Sequence, residues 1–237
     1  MLNELKTKSS AGFSLIELLF AMTLTLTVMS IATVLLARAL NVRTRTNANN
    51  DALADAQRAL NIMSREIASA GFNLAGNGIV AGDTGTDTNG NSVIRIRSNL
   101  NKYDETASTT ARNGIGVAGE DSAEDVKYFI YWDSDTNLLA RFDEYATEGG
   151  RVTVLANRLD SLHMHYYAQK VTYNTSGCNI TGASAAEVSP SAAKYVVIAV
   201  CVQLEQVGSP GTSGFQPAQS VLLVSDVTLR NSDLLVY

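Results

Sequence analysis

Between Glu17 and Arg38 the chain runs through 20 residues, Leu18–Ala37, without a formal charge. As a helix rising about 1.5 Å per residue, such a run is about 30 Å long, the thickness of a bilayer's hydrocarbon core. No other stretch constrains the fold as strongly, because a run of this kind must be covered by lipid or by other protein. Thr23, Thr25, Thr27, Ser30 and Thr33 interrupt it. Their hydroxyls can bond back to carbonyls of the same helix, which makes them tolerable in an apolar surround. The first proline is Pro190, so no ring breaks a helix in the N-terminal half. Lys6 and Lys8 lie before the run; Arg38, Arg43 and Arg45 follow it as membrane-edge residues. Counted alone, these charges would favour the reversed topology.

Three readings fit this segment. A conventional secretory signal would use Ala37-Arg38-Ala39 as an A-x-A-like cleavage site, but its apolar region would exceed the usual 7–15 residues. A plain membrane anchor carrying an external domain is the second. The third turns on Glu17, which stands at the start of the apolar run. A carboxylate costs about 2.5–3.5 kcal/mol at mid-bilayer and less near its edge, so it marks a functional position unless it merely sits at headgroup level. Gly12-Phe13-Ser14-Leu15-Ile16-Glu17-Leu18-Leu19, behind a short basic leader, resembles the prepilin processing motif of type IV pilin-like proteins. The resemblance implies cleavage after Gly12 by a prepilin peptidase and methylation of the new Phe13 amine. It also implies that Glu17 pairs with the N-terminal amine of a neighbouring subunit during assembly. The physics agrees: a carboxylate in lipid requires a cationic partner, and cleavage creates one.

Beyond Arg45 the chain is polar yet keeps a helical period. Leu53, Ala56, Leu60, Met63, Ile67 and Ala70 recur at spacings of three and four, which places them on one stripe. Gly71 follows as a C-terminal stop. A single helix from Phe13 to Ala70 would be about 87 Å long. Asn47, Asn49, Asn50 and Asp51 are its weakest point, where a bend or local melting is expected, since these side chains compete for backbone hydrogen bonds. The stripe is also compatible with a coiled coil but is short for one. The segment Ala59–Phe72, with Arg65-Glu66 and the closing Ala70-Gly71-Phe72, resembles the helix end of PilW-type minor pilins.

Residues 73–125 are rich in Gly, Asn, Thr and Asp and show one strand, Ser92–Arg97, among surface loops. From Val126 the pattern is strand and turn: 126–132, 138–142, 151–156, 159–167, 194–204, 219–230 and the tail 233–237. In 194–204, Val196, Ile198, Val200, Val202 and Leu204 alternate onto one face. A helix followed by a run of strands predicts an α+β fold. The pilin resemblance implies the same, a long helix packed on an antiparallel sheet. The expected organisation is a leader over 1–12, a membrane and assembly helix over 13–40, its amphipathic continuation over 41–72 and a β-rich globular domain over 73–237.

A net charge of −5 lacks the electrostatic footprint of a nucleic-acid binder. Cys178 and Cys201 are the two cysteines; in an exported domain they predict one disulfide, closing a loop worth about 3–3.5 kcal/mol by chain entropy, with two free buried thiols as the alternative. Gly114-Ile115-Gly116-Val117-Ala118-Gly119 matches G-x-G-x-x-G, but no apolar strand precedes it, so it reads as a loop. Asp133, Asp135, Asn137 and Glu144 have calcium-loop spacing, with Leu138 where the turn needs Gly; a polar hairpin tip explains them more simply. Asp83, Asp87, Asn89 and Asn91 make a weaker acidic loop. His163 and His165 share one face of a strand and lack further zinc ligands. No catalytic constellation and no cofactor site can be argued from spacing. The expected function is structural: a minor pilin-like subunit that helps prime or cap a fibre, with a secretion pseudopilin or a membrane-anchored adhesin at a fibre tip as alternatives. The size favours a minor subunit, because 225 residues (237 less 12) are bulky for one repeated thousands of times. Its partners would be other pilins through the N-terminal helix, the prepilin peptidase and the bacterial inner membrane, with the globular domain periplasmic or extracellular.

Overall fold

The computed structural model describes residues 14–74, 76–100, 122–132, 137–147, 149–211 and 215–231. Gly12, Phe13, the 114–119 glycine motif, Asp133, Asp135 and the expected strand over 233–237 lie outside them.

One helix, α1 (Leu15–Ser69), is 55 residues long, or about 82 Å at 1.5 Å each. Its last third carries the anticipated stripe: Ala52, Ala56, Ala59, Leu60, Met63 and Ile67 are buried, and Leu53 packs against them. The melting expected at Asn47–Asp51 does not occur, because α1 is unbroken there. Asn49 is occupied elsewhere: its Nδ2 donates to the Glu205 carbonyl at 3.0 Å, and its Oδ1 accepts the Glu205 N–H at 3.2 Å. A side chain held by another part of the fold does not compete for its own helix backbone. The helix closes at Ala70, and Gly71 follows with φ +77°. Gly71 donates to the Arg97 carbonyl at 2.8 Å, and a Cβ there would lie 2.5 Å from the Gly76 carbonyl oxygen. Both its conformation and its surroundings therefore require glycine.

The strands form two antiparallel sheets. The first has β1 (Gly85–Thr86), β2 (Ser92–Arg97), β3 (Asp125–Trp132), β4 (Asn137–Asp143) and β5 (Val152–Ala156) in sequential order. The second has the order β10-β9-β6, from β6 (Leu159–Tyr167), β9 (Tyr195–Leu204) and β10 (Gln219–Thr228). A small hairpin of β7 (Asn174–Ser176) and β8 (Asn179–Thr181) lies in the connection from β6 to β9. The result is an α+β fold: one long N-terminal helix on C-terminal antiparallel sheet.

β9 differs from the one-faced strand that its alternation suggests: every residue from Tyr195 to Val202 is buried. Val196, Ile198, Val200 and Val202 join Met63, Ile67 and Leu162 in the main core under α1. Val197 and Ala199 face a second cluster with Tyr167, Val171, Ile180 and Tyr195, under the small hairpin. The hairpin was not anticipated, since three-residue polar strands show no measurable alternation. The region 73–125 also gains β1 and a short 3-10 turn, Ala81–Asp83.

Candidate functional site

The apolar run forms a bare stem. From Leu15 to Leu40 every residue is exposed, including Leu18, Phe20, Leu24, Leu26, Ile31 and Leu35. The most apolar 18-residue window of α1 has a mean hydropathy of 2.1 and none of it is buried, so the helix is long and apolar enough to cross a membrane. The threonines satisfy themselves as expected. Thr23 donates to the Phe20 carbonyl at 2.9 Å, Thr25 to Ala21 at 3.0 Å, Thr27 to Leu24 at 2.8 Å and Thr33 to Ser30 at 2.9 Å. No hydroxyl of these four needs water, so the stem can be wrapped entirely in apolar matter.

Glu17 stands in the first turn of α1, exposed, with its N–H donating to the Ser14 carbonyl at 3.0 Å. The helix dipole favours a carboxylate at this end. Among the described residues it has no ion pair. Glu66, in the packed part of the same helix, is the opposite case. It accepts a short hydrogen bond from the Tyr128 hydroxyl and lies 3.1 Å from Arg141 Nε. Burial, and then the Glu66 charge, push the Tyr128 phenol well above its ordinary value. Burial alone would lower the Arg141 guanidinium, but Glu66 outweighs it and the net shift is upward. Where stem and packed part meet, Arg45 Nη1 donates to the Gln206 carbonyl at 3.2 Å, one residue from the Asn49–Glu205 pair.

Cys178 lies in the β7–β8 turn and Cys201 in β9; a disulfide joins them with Cα atoms 5.3 Å apart, a normal span for the bond. It ties the hairpin to the central strand of the second sheet. Asp160 Oδ2 lies 3.4 Å from the Cys178 sulfur and 3.7 Å from that of Cys201. Sulfurs bonded to one another are not the thiolates that a metal requires, so this trio is no metal site.

The calcium reading fails on geometry. Asn137 opens β4, where its Nδ2 donates to the Leu159 carbonyl at 3.1 Å, and Glu144 follows the end of that strand. Seven residue steps along the strand separate the two by about 23 Å at 3.3 Å each, so they cannot share an ion. Trp132 pairs with Asn137 in the β3–β4 register, as a hairpin requires. The second acidic loop is likewise structural: Asp87 Oδ1 accepts the N–H groups of Asn89 and Asn91, both at 2.8 Å. His163 and His165 both point from β6; His165 contacts Glu187 at 2.6 Å and Asn179 at 2.7 Å. Burial lowers the His163 imidazole.

Sequence reasoning missed the ionic cluster on the outer face of the first sheet. Asp125, buried, receives Arg95 at 2.6 Å and Arg97 at 2.7 Å, and Arg95 also meets Asp83. Hydrogen bonding to Asp125 holds the Arg95 proton more firmly than usual, and Arg95 in turn lowers the Asp83 carboxyl. The available signal was Arg95 and Arg97 two apart on a strand, hence on one face. Their partner lay far off in sequence.

Residues 7–33 match the family model of the prokaryotic N-terminal methylation motif. The match spans Glu17 and most of the bare stem, and it supports a type IV pilin-like or pseudopilin chain. Such a motif implies processing by a prepilin peptidase and assembly with other pilins, and it suggests a structural subunit. The exposed apolar helix is consistent with a membrane-anchored pilin. No curated protein and no solved structure matches the chain.

Proposed function

We propose that this chain is a minor pilin-like subunit that helps prime or cap a type IV pilus. The observation that carries the reading is the stem: a helix with a motif-bearing start whose apolar surface the chain's own fold leaves wholly uncovered. Before assembly, lipid covers that surface as a single span of the inner membrane, with the globular domain on the periplasmic side. After assembly, the stems of other pilins cover it. Cleavage after Gly12 gives Phe13 a new amine, which is methylated. Glu17, without an ion-pair partner among the described residues, takes such an amine from a neighbouring subunit. In an apolar surround that pair is strong, and removing one partner costs about 3–5 kcal/mol. The resemblance of the α1 end to PilW-type subunits and the bulk of the globular domain favour a minor subunit over a major one.

The test compares the parent with Glu17→Ala and Glu17→Asp at equal expression, in membrane and sheared-fibre pools. Glu17→Ala should be processed and retained in the membrane yet scarce in fibres. Glu17→Asp should fall between, since it keeps the charge and shortens the reach. Equal entry of Glu17→Ala into fibres would remove the pairing role. Mass spectrometry of the native protein should find a methylated Phe13 N-terminus; one near Asn41 would establish an ordinary signal peptide instead.

A further inference from the structure

The two sheets have four outer edges, and three of them are guarded. β1 is two residues long. β5 has five residues, and its pairing with β4 is interrupted by a register shift between Leu139 and Ala140. The outer edge of β6 is covered: Leu162 N–H donates to Asn91 Oδ1 at 3.1 Å, Met164 N–H to Ser92 Oγ at 2.9 Å, and the Tyr166 carbonyl accepts Val188 N–H at 2.9 Å. These are the usual ways of closing an edge against unwanted pairing.

Among the described residues, β10 has no such guard. It is ten residues long, pairs with β9 through ten consecutive partners without a shift, and contains no Pro, Lys or Arg. Its outward groups can be identified from β6. Leu162 and Met164 direct their N–H groups away from β9, so their partners Val200 and Ile198 must bond toward β10. Those residues face Leu223 and Ser225. By alternation, the main chains of Ser220, Leu222, Val224, Asp226 and Thr228 point outward. Among the described residues, no hydrogen bond from elsewhere reaches the main chain of Leu222 or Val224. The span from Ser220 to Thr228 is about 27 Å at 3.4 Å per residue.

We infer that the outer edge of β10 is a strand-addition site that takes an extended segment of a different chain. The ladder defines the ligand's chemistry. It must be extended, free of Pro over about five residues, and apolar on both faces to sit beside Val221 and Leu223 on one side and Leu222 and Val224 on the other. Asp226, the strand's one charge, accepts a hydrogen bond from the Tyr173 hydroxyl at 2.7 Å on one carboxylate oxygen, and a Lys or Arg opposite it would meet the rest of that charge. A symmetric second copy does not fit. Antiparallel β10–β10 pairing uses a two-fold axis perpendicular to the sheet, and α1 packs on that sheet's face. The axis would reverse one stem relative to the other, so the two could not enter one membrane together. That exclusion rests on the assembly reading of the stem; the open edge does not.

The experiment uses the full chain in detergent micelles and a fluorescent synthetic peptide copying Gln219–Thr228 as a generic strand. The peptide should bind saturably and slow amide exchange at Leu222 and Val224. A peptide N-methylated at the positions copying Leu222 to Ser225, which lacks donors on both edges, should not bind. Val224→Pro removes one outward N–H at an edge position that tolerates proline, so binding should weaken about tenfold or more, the worth of a main-chain hydrogen bond. Ser220→Pro, at an exposed position near the strand's end, serves as a second variant should the first fold poorly, and should weaken binding less. Unchanged binding by both variants, or equal binding of the N-methylated peptide, would overturn the site. Sedimentation showing that the parent dimerises and Val224→Pro does not would overturn the assigned occupant in favour of a second copy. None of these readouts requires Glu17 or fibre assembly, so failure here leaves the assembly reading intact.

Discussion

The two ends of α1 are built from the same backbone and opposite surfaces. From Leu15 to Leu40 apolar side chains surround the helix and all are exposed. From Ala52 to Ile67 apolar side chains occupy one stripe and are buried. The two glutamates follow the same division: Glu66 has Tyr128 and Arg141, whereas Glu17 has no ion pair among the described residues. A surface that a fold pays to bury belongs to that fold; one it leaves bare belongs to an environment outside it. The packed end should therefore set the stability of the globular domain, and the stem should set where the domain is carried and what it joins.

The largest expected effect is at the packed end. Met63 is fully buried beneath the second sheet. Met63→Ala should lower unfolding stability by about 2–5 kcal/mol, through lost transfer free energy and the cavity left behind. Urea unfolding in micelles, followed by the Trp132 signal, would measure it. A loss under about 1 kcal/mol would mean that α1 is only loosely docked.

A smaller effect should follow from the internal partner of Glu66. Tyr128→Phe deletes a hydrogen bond from a fully buried phenol to a partly exposed carboxylate, at a cost of about 1.5–3 kcal/mol. The phenol also gives stability a pH dependence of definite sign. Its folded value lies above the ordinary value of about 10. Its contribution is therefore complete below pH 10 and falls as pH rises, because the unfolded chain releases the proton first. Tyr166 and Tyr173 shift the same way, chiefly through burial, and Tyr195 is pushed up to about 12. Stability should therefore decline above about pH 10, and Tyr128→Phe should make that decline shallower. An unaltered alkaline limb would separate Tyr128 from it.

How much was legible follows from range. The stem, the stripe at Ala56, Leu60, Met63 and Ile67, and the strands β2 to β6, β9 and β10 repeat locally, and local repetition can be read from the chain. What could not be read was pairing at a distance: Asn49 with Glu205, Glu66 with Arg141, Arg95 with Asp125. Melting at Asn47–Asp51 was expected because propensity is local, and it was overruled by a contact 156 residues away. That β10 ends the second sheet was hidden for the same reason, since which strand ends a sheet depends on topology. Glu17, by contrast, was visible because its burden is local, a carboxylate beside an apolar run.

The smallest expected effect on stability is at the stem, and it is the sharpest test of the division. Leu26 is 68% exposed and touches none of the buried core. In micelles its side chain lies in detergent whether the globular domain is folded or unfolded. Leu26→Ala therefore removes apolar area equally from both states, and the unfolding free energy should change by less than about 0.5 kcal/mol, as for a surface substitution. The same change at Met63 should cost several times more, although both remove a long apolar side chain from one helix. Recruitment into fibres should reverse the order. If neighbouring stems cover Leu26, its truncation opens a gap in their packing, and a buried leucine truncated to alanine costs about 2–5 kcal/mol. Leu26→Ala should thus leave a normally folded, membrane-resident protein that enters fibres poorly, measured in the same sheared-fibre pools used for Glu17. Reduced domain stability in Leu26→Ala would show that the stem folds back on the domain, and the two ends of α1 would no longer be separable. Full stability with unimpaired entry into fibres would leave the stem a plain lipid anchor.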